Sequence, residues 1–395
     1  MLVSIRNFLK LEAASGIILV LAAVLALVLA NSPLASSYNL LLDTPVQVRI
    51  GALDIHKPLL LWINDGLMVI FFFLIGLELK REALEGELSD MRKVALPAFG
   101  AIGGMVVPGL IYALFNHNDP AALRGWAIPT ATDIAFVLGI LAILGNRVPL
   151  TLKVFLVSLA IFDDIGAIAI IALFYTDGID LSALMFAAAC ILILFILNRR
   201  RVMEFTPYIL IGIVMWVAIL KSGVHATLAG VILAMFIPLH SRSRPGYSPL
   251  KTLEHDLHGA VAFAILPIFA FANSGVSLGN IEADFLLHPV TLGITLGLFI
   301  GKQVGVFSFC WIGIQLGLAR RPEGVNWMAM YGAALLCGVG FTMSLFIGSL
   351  AFEETSRSLF DERLGVMIGS LICGIAGFLV LRSSLKEPGS KTEPT

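Results

Sequence analysis

The chain has 395 residues, enough for two or three soluble domains, yet only 13% of them are charged, about half the usual share, while 58% are hydrophobic and 37 are glycine. A net charge of −1, with no basic run longer than Arg199-Arg200-Arg201, excludes the counterion-displacing surface of a nucleic-acid binder. The composition is that of an all-α polytopic membrane protein.

A spanning helix needs about 20 mainly apolar residues. The sequence predicts twelve such segments, near 14–30, 59–79, 95–115, 125–145, 150–175, 183–198, 207–220, 223–239, 259–278, 290–311, 327–350 and 364–381. Lys and Arg gather in the loops on the N-terminal side of these crossings, which predicts that both termini are cytoplasmic. Residues 1–385 read as a single integral membrane domain.

After the first segment, Val46, Val48 and Ile50 alternate with polar residues, as do Leu53 and Ile55 beyond Gly51-Ala52. That pattern predicts an extramembrane β-hairpin over about 45–57. A lone two-stranded hairpin is marginal in water, so it either lies on the protein's own surface or pairs with a second subunit.

Segment two carries Asp65 and Glu78 toward opposite ends, with Glu82 four residues after Glu78 on one helical face. Like charges at that spacing repel unless cations or protons relieve them, and Lys80 and Arg81 are adjacent. Segment four is interrupted by Pro129, Thr130, Thr132 and Asp133. Proline removes a backbone donor and clashes with the preceding turn, so a broken helix is expected here.

Segment five holds the strongest chemical signal. Asp163 and Asp164 are adjacent within a largely apolar run from Val154 to Tyr175. In a low dielectric two neighbouring carboxylates cannot both ionise without a cation close by, so protons and a small metal cation such as Na+ should compete for them. His225 opens segment eight. Glu254, His255, Asp256 and His258 precede segment nine, on the same side as Glu78 and Glu82. The two groups are expected to form a cytoplasmic funnel that attracts cations and titrates near neutral pH, with Asp65 and His225 as further candidates.

Lys302 lies inside segment ten, and Gly338 and Gly340 interrupt segment eleven ahead of Thr342 and Ser344. Two interrupted segments in corresponding positions point to a transporter's binding site. Broken helices expose dipole ends of both signs. Asp133 suits their N-terminal ends, and Lys302 suits their C-terminal ends or a member of the aspartate pair. Cys190, Cys310, Cys337 and Cys373 sit in apolar runs without metal-ligand spacing and read as core residues. The tail from Lys386 (KEPGSKTEPT) has no apolar content and is expected to be disordered.

The runs FFFLIGLELKREALEGEL, AIPTATDIAFVLGILAILG, LAIFDDIGAIAIIALFYT, SGVHATLAGVILA, LPIFAFANSGVSL and LCGVGFTMSLFIGSLAF resemble, in order, those of the NhaA-type sodium/proton antiporters. The resemblance covers nearly the whole chain. It implies an inner-membrane protein of a bacterium in which segments three to five and ten to twelve are inverted copies, with segments four and eleven unwound and crossing. It also implies Asp163 and Asp164 as the cation and proton site, Thr132 as a neighbour of that site, and Asp133 and Lys302 as charge compensators. Glu78, Glu82, His225, Glu254, His255 and His258 would take part in a pH response, and the hairpin would make a dimer contact. Two residues depart from the pattern: Gln303 follows Lys302 where proline is expected, and Ser274 stands for alanine in FANSG.

The expected activity is exchange of cytoplasmic Na+ or Li+ for external protons, with no cofactor and no organic substrate. The chain has no GxxxxGK[ST] loop for nucleotide. Intramembrane aspartyl proteolysis needs carboxylates facing each other from different helices, and here they are consecutive. A passive channel would hold ions too tightly at paired acids.

Overall fold

A computed structural model describes residues 2–51, 53–86, 91–176, 178–240, 246–279, 283–352 and 361–385. In chain order the main elements are α1 (Leu2–Ala30), α2 (Ala35–Asp43), β1 (Pro45–Ile50), β2 (Leu53–Pro58), α3 (Leu59–Glu85), α4 (Met91–Asn116), α5 (Ile134–Leu144), α6 (Leu150–Phe174) and α7 (Leu181–Arg199). Then follow α8 (Phe205–Lys221), α9 (Leu228–Phe236), α10 (Pro249–Asn273), α11 (Pro289–Gln315), α12 (Trp327–Cys337), α13 (Phe341–Ala351) and α14 (Glu362–Ser384). The chain is almost entirely helical, as its composition requires.

Among the described residues nine helical stretches are long and apolar enough to cross a membrane, counting the interrupted Pro120–Arg147 and Trp327–Ala351 as one each, or ten if α1 and α2, bent by 113° at their junction, form one span. The expected segments 207–220 and 223–239 occur as α8, of 17 residues, and α9, of nine. Both are shorter than a straight span because the chain turns between them at Ser222 and Gly223, whose φ of +80° suits a residue without Cβ. The expected disordered tail, 386–395, lies outside the described residues.

Helix starts follow local capping chemistry. Asp180 accepts from the Ser182 and Ala183 amides, Asn326 from Ala329, Asp361 from Arg363 and Ser248 from Lys251, and Pro249 and Pro289 occupy first-turn positions. Among the described residues, π turns occur at Ile63–Leu67 in α3, Val261–Ile265 in α10 and Gly297–Gly301 in α11.

The chain divides into two compact units, one of residues 1–21, 90–167 and 276–395, the other of 22–89 and 168–275. In the first, α4 meets α11 at Gly103 and Gly305, where a side chain on either would run into the other's carbonyl. In the second, Phe73, Leu77, Leu194, Tyr208, Met215 and Leu233 centre the core. Its helix α7 buries only Ala187, Cys190 and Leu194, while Leu181, Met185, Phe186 and Leu192 are exposed, an apolar outer face suited to hydrocarbon. All four cysteines are free and buried.

The hairpin forms as an antiparallel pair with Val48 opposite Ile55 and Ile50 opposite Leu53. It is tied to its own unit: Trp62 Nε1 donates to the Val46 carbonyl at 3.1 Å and Lys221 Nζ to that of Asp54 at 2.6 Å. Ile55 is buried, whereas Val48 and Ile50 are exposed.

Candidate functional site

The site is built around two chain breaks. Arg124–Thr130 is a 3-10 turn holding Pro129, and the chain is then non-helical to Asp133, where α5 begins. The second break separates α12, ending at Cys337, from α13; Gly338 and Gly340 flank it. Each break satisfies the other. The Asp133 amide donates to the Val339 carbonyl at 2.7 Å, Thr132 Oγ1 lies 2.8 Å from the Cys337 carbonyl, and Ser344 Oγ donates to the Ile128 carbonyl at 2.7 Å. Backbone groups that proline and glycine release from a helix ladder are thereby paired inside protein.

Asp133 stands at the start of both following helices. Its Oδ1 accepts from the Phe136 amide at 3.0 Å, in the first turn of α5. Its Oδ2 accepts from the Thr342 amide at 2.9 Å and the Thr342 hydroxyl at 2.5 Å, at the start of α13. One carboxylate thus meets two helix N-termini, where the partial charge is positive.

Asp163 and Asp164 lie in α6 and are 2% and 4% exposed, so neither carboxyl is hydrated from the surface. Asp163 Oδ2 accepts from Lys302 Nζ at 2.5 Å and from Thr132 Oγ1 at 2.6 Å. Asp163 Oδ1 is buried and has no hydrogen-bond partner among the described residues. Lys302 is fully buried, its approach left open by Gly104, where a Cβ would lie 3.3 Å from the ammonium. Thr132, Asp133, Asp163 and Lys302 therefore form one connected cluster, with Asp164 adjoining in sequence and Gly338 and Gly340 at its edge. No group of three or more acidic, His or Cys side chains with metal-ligand geometry occurs among the described residues.

The chain resembles known proteins over nearly its whole length. Residues 6–381 fit the family described as Na+/H+ antiporter 1. The chain belongs to that family. It is 61% identical over 391 residues to the Na(+)/H(+) antiporter NhaA of Desulfotalea psychrophila, covering 99% of this chain and 98% of the relative. It is 58% identical to the Na(+)/H(+) antiporter NhaA of Psychrobacter arcticus over 97% and 96% of the two chains. It is 60% identical to the Na(+)/H(+) antiporter NhaA 3 of Saccharophagus degradans over 97% and 98%.

The remaining candidates of this family member fall into two groups within the second unit. On α3 and α10, Arg81 Nε donates to the Glu254 carboxylate at 2.9 Å and Arg81 Nη1 to Glu82 at 2.6 Å, with Glu78 and His258 within electrostatic reach. His255 and Asp256 are exposed. Asp65 is elsewhere: thirteen residues before Glu78 on the same helix, it lies about 20 Å away along the axis. Its partner is Lys57 Nζ at 2.8 Å. His225 lies within electrostatic reach of both, and its Nδ1 is 2.7 Å from Thr227 Oγ1. Arg81 thus links the α3 and α10 groups, while Asp65 and His225 lie in a separate cluster.

Several partners carried no sequence signal. Asn64 and Asn273 exchange amide hydrogen bonds of 2.8 and 3.3 Å inside the second unit. Arg81, noted only as a neighbour of Glu82, is the hub of its acids. Thr342 follows the glycine break, a hint that it caps a half-helix, but nothing local ties it to Asp133.

Proposed function

We propose that this antiporter exchanges cytoplasmic Na+ or Li+ for external protons by competition at Asp163 and Asp164. The reading is carried by Asp163 Oδ1, a buried carboxylate oxygen without a described hydrogen-bond partner, beside an oxygen already held by Lys302 and Thr132. An unmet oxygen in such surroundings is costly, and a small hard cation or a proton relieves it.

Charge counting gives the competition. Lys302 and Asp163 neutralise each other at 2.5 Å. Ionised Asp164 then leaves one negative charge in a low dielectric, which a proton or one alkali cation cancels. When the Lys302 pair opens, Asp163 takes up a proton as well; the two carboxyls then release two protons for one bound ion, the exchange is electrogenic, and membrane potential acts on it at about 2.3 kcal/mol per charge per 100 mV. Asp133 offsets the N-terminal half-helix ends, Lys302 balances the acids, and Thr132 supplies an oxygen at the site.

The same reading has twelve crossings, segments three to five and ten to twelve as inverted copies, segments four and eleven crossing, and both termini cytoplasmic in a bacterial inner membrane. Glu78, Glu82, Glu254, His255 and His258, with His225 and Asp65, serve the pH response. The hairpin pairs two copies as a homodimer in lipid. The protein transports rather than catalyses, without a cofactor, an organic substrate or a nucleic-acid partner.

Exchange is tested in vesicles carrying a pH gradient. The Asp164→Asn variant should lose Na+-dependent proton movement, and full activity in that variant rejects the assignment. Calorimetry on the purified protein should show Na+ affinity rising with pH; a flat profile overturns the competition.

A further inference from the structure

Lys302 reaches Asp163 only because of what precedes it in α11. The five residues Gly297–Gly301 form a π turn, and the Lys302 amide donates to the Gly297 carbonyl, five residues back. A π turn inserts one residue into the helical register; its loss would rotate everything beyond by about 100° and carry the ammonium away from Asp163. Such turns are unfavourable unless something holds them.

Gln303 is placed to do so. Its Nε2 donates to the Phe299 carbonyl at 2.6 Å, four residues back and inside the π turn. Its Oε1 accepts from the Tyr331 hydroxyl, on α12. Gln303 is 8% exposed, and the Tyr331 ring is itself seated edge-on against Phe307, 5.7 Å between centroids. The same helix α12 ends at Cys337, whose carbonyl faces Thr132. The amide therefore joins the lysine's helix to the broken helix at the site.

We propose that Gln303 and Tyr331 are positioning residues for Lys302: together they hold the π turn that presents the ammonium to Asp163 and fix it relative to the break after Cys337. This rests on the cation site proposed above and deepens it. It also accounts for glutamine where the resemblance leads one to expect proline. Proline at 303 would lack the amide and push the Phe299 carbonyl aside, imposing covalently the distortion that glutamine and tyrosine hold by hydrogen bonds.

The test measures half-saturating Na+ and maximal exchange rate in proteoliposomes at fixed pH, for Gln303→Met, Tyr331→Phe, the two combined, Gln303→Pro, and Gln303→Pro combined with Tyr331→Phe. Gln303→Met and Tyr331→Phe should each shift half-saturating Na+ by about three- to tenfold, and their combination by no more than the larger single effect, as for two members of one linkage. Gln303→Pro should stay near the parent, and Tyr331→Phe should be silent in that background. Unchanged half-saturation in Tyr331→Phe and Gln303→Met, or an equal effect of Tyr331→Phe in both backgrounds, overturns the proposal. Should Gln303→Pro not yield folded protein, the first two variants and their combination still decide. Asp164→Asn tells the two ideas apart: exchange lost there but untouched in Tyr331→Phe rejects the positioning role and leaves the cation site standing.

Discussion

Thr132 Oγ1 stands 2.6 Å from Asp163 Oδ2 and also 2.8 Å from the carbonyl of Cys337. A hydroxyl has one hydrogen, so it serves either the carboxylate or the broken helix at any moment. Thr132→Val leaves both acceptors without it in a buried setting, a cost of about 1–3 kcal/mol. Half-saturating Na+ should rise about tenfold or more, while Thr132→Ser, which keeps the hydroxyl, should stay close to the parent. Equal behaviour of the two variants would remove the hydroxyl from the site.

Asp133 caps two helices with one carboxylate. Asp133→Ala should lower stability by about 1–2 kcal/mol per cap lost, read as thermal unfolding in detergent. Asp133→Asn retains an acceptor for one of the two ends, so it should fall between alanine and parent. Alanine as stable as the parent would mean that the capping carries no weight.

Arg81 is the cation common to Glu254 and Glu82, with their side chains 32%, 16% and 15% exposed. Arg81→Glu gathers acids without a counter-charge and should destabilise the protein and impair exchange. Adding Glu254→Arg restores an opposite pair across the same two helices, with a coupling of about 1 kcal/mol expected from a double-mutant cycle. Strictly additive effects would show that the pair is incidental.

His288 caps α11, the helix of Lys302: its Nδ1 accepts from the Val290 amide at 3.3 Å. Burial holds this imidazole below its ordinary value, opposed by nearby Asp119. The neutral ring is therefore favoured by folding, and this contribution is complete above the ordinary imidazole range. As pH falls from about 6.5 through the lowered value of the folded chain, the ring protonates, loses its acceptor, and the contribution disappears. Protection of the Val290 and Leu292 amides, read from their exchange rate relative to the intrinsic rate at each pH, should fall by about two- to fivefold between pH 7 and 5, and His288→Asn, which caps at any of these pH values, should flatten the dependence. Protection equally pH-sensitive in both proteins counts against the cap.

Much of the fold and part of the site are legible in the sequence. Hydropathy finds the helices because burial in lipid is decided by local composition, and the alternation over Val46–Ile50 finds β1 because a strand's period of two is local, although Val48 and Ile50 end up exposed. Pro129, Gly338 and Gly340 mark the breaks since each acts on its own turn. The cut between segments 207–220 and 223–239 is legible too, because Lys221, Ser222 and Gly223 interrupt one apolar run where the chain turns; less legible is that α9 begins only at Leu228.

The sequence by itself determined a membrane-embedded helical chain, with adjacent aspartates in apolar surroundings and two helices bound to break, because these depend on residues close together in the chain. Only the tertiary structure decided that Lys302 pairs with Asp163, 139 residues away, and that Asp133 meets Thr342 across 209. It also joined Arg81 to Glu254 and Gln303 to Tyr331. Hydrogen bonds and ion pairs act over a few ångströms, and which groups come within that range is fixed by how the helices pack, not by the order of residues along them.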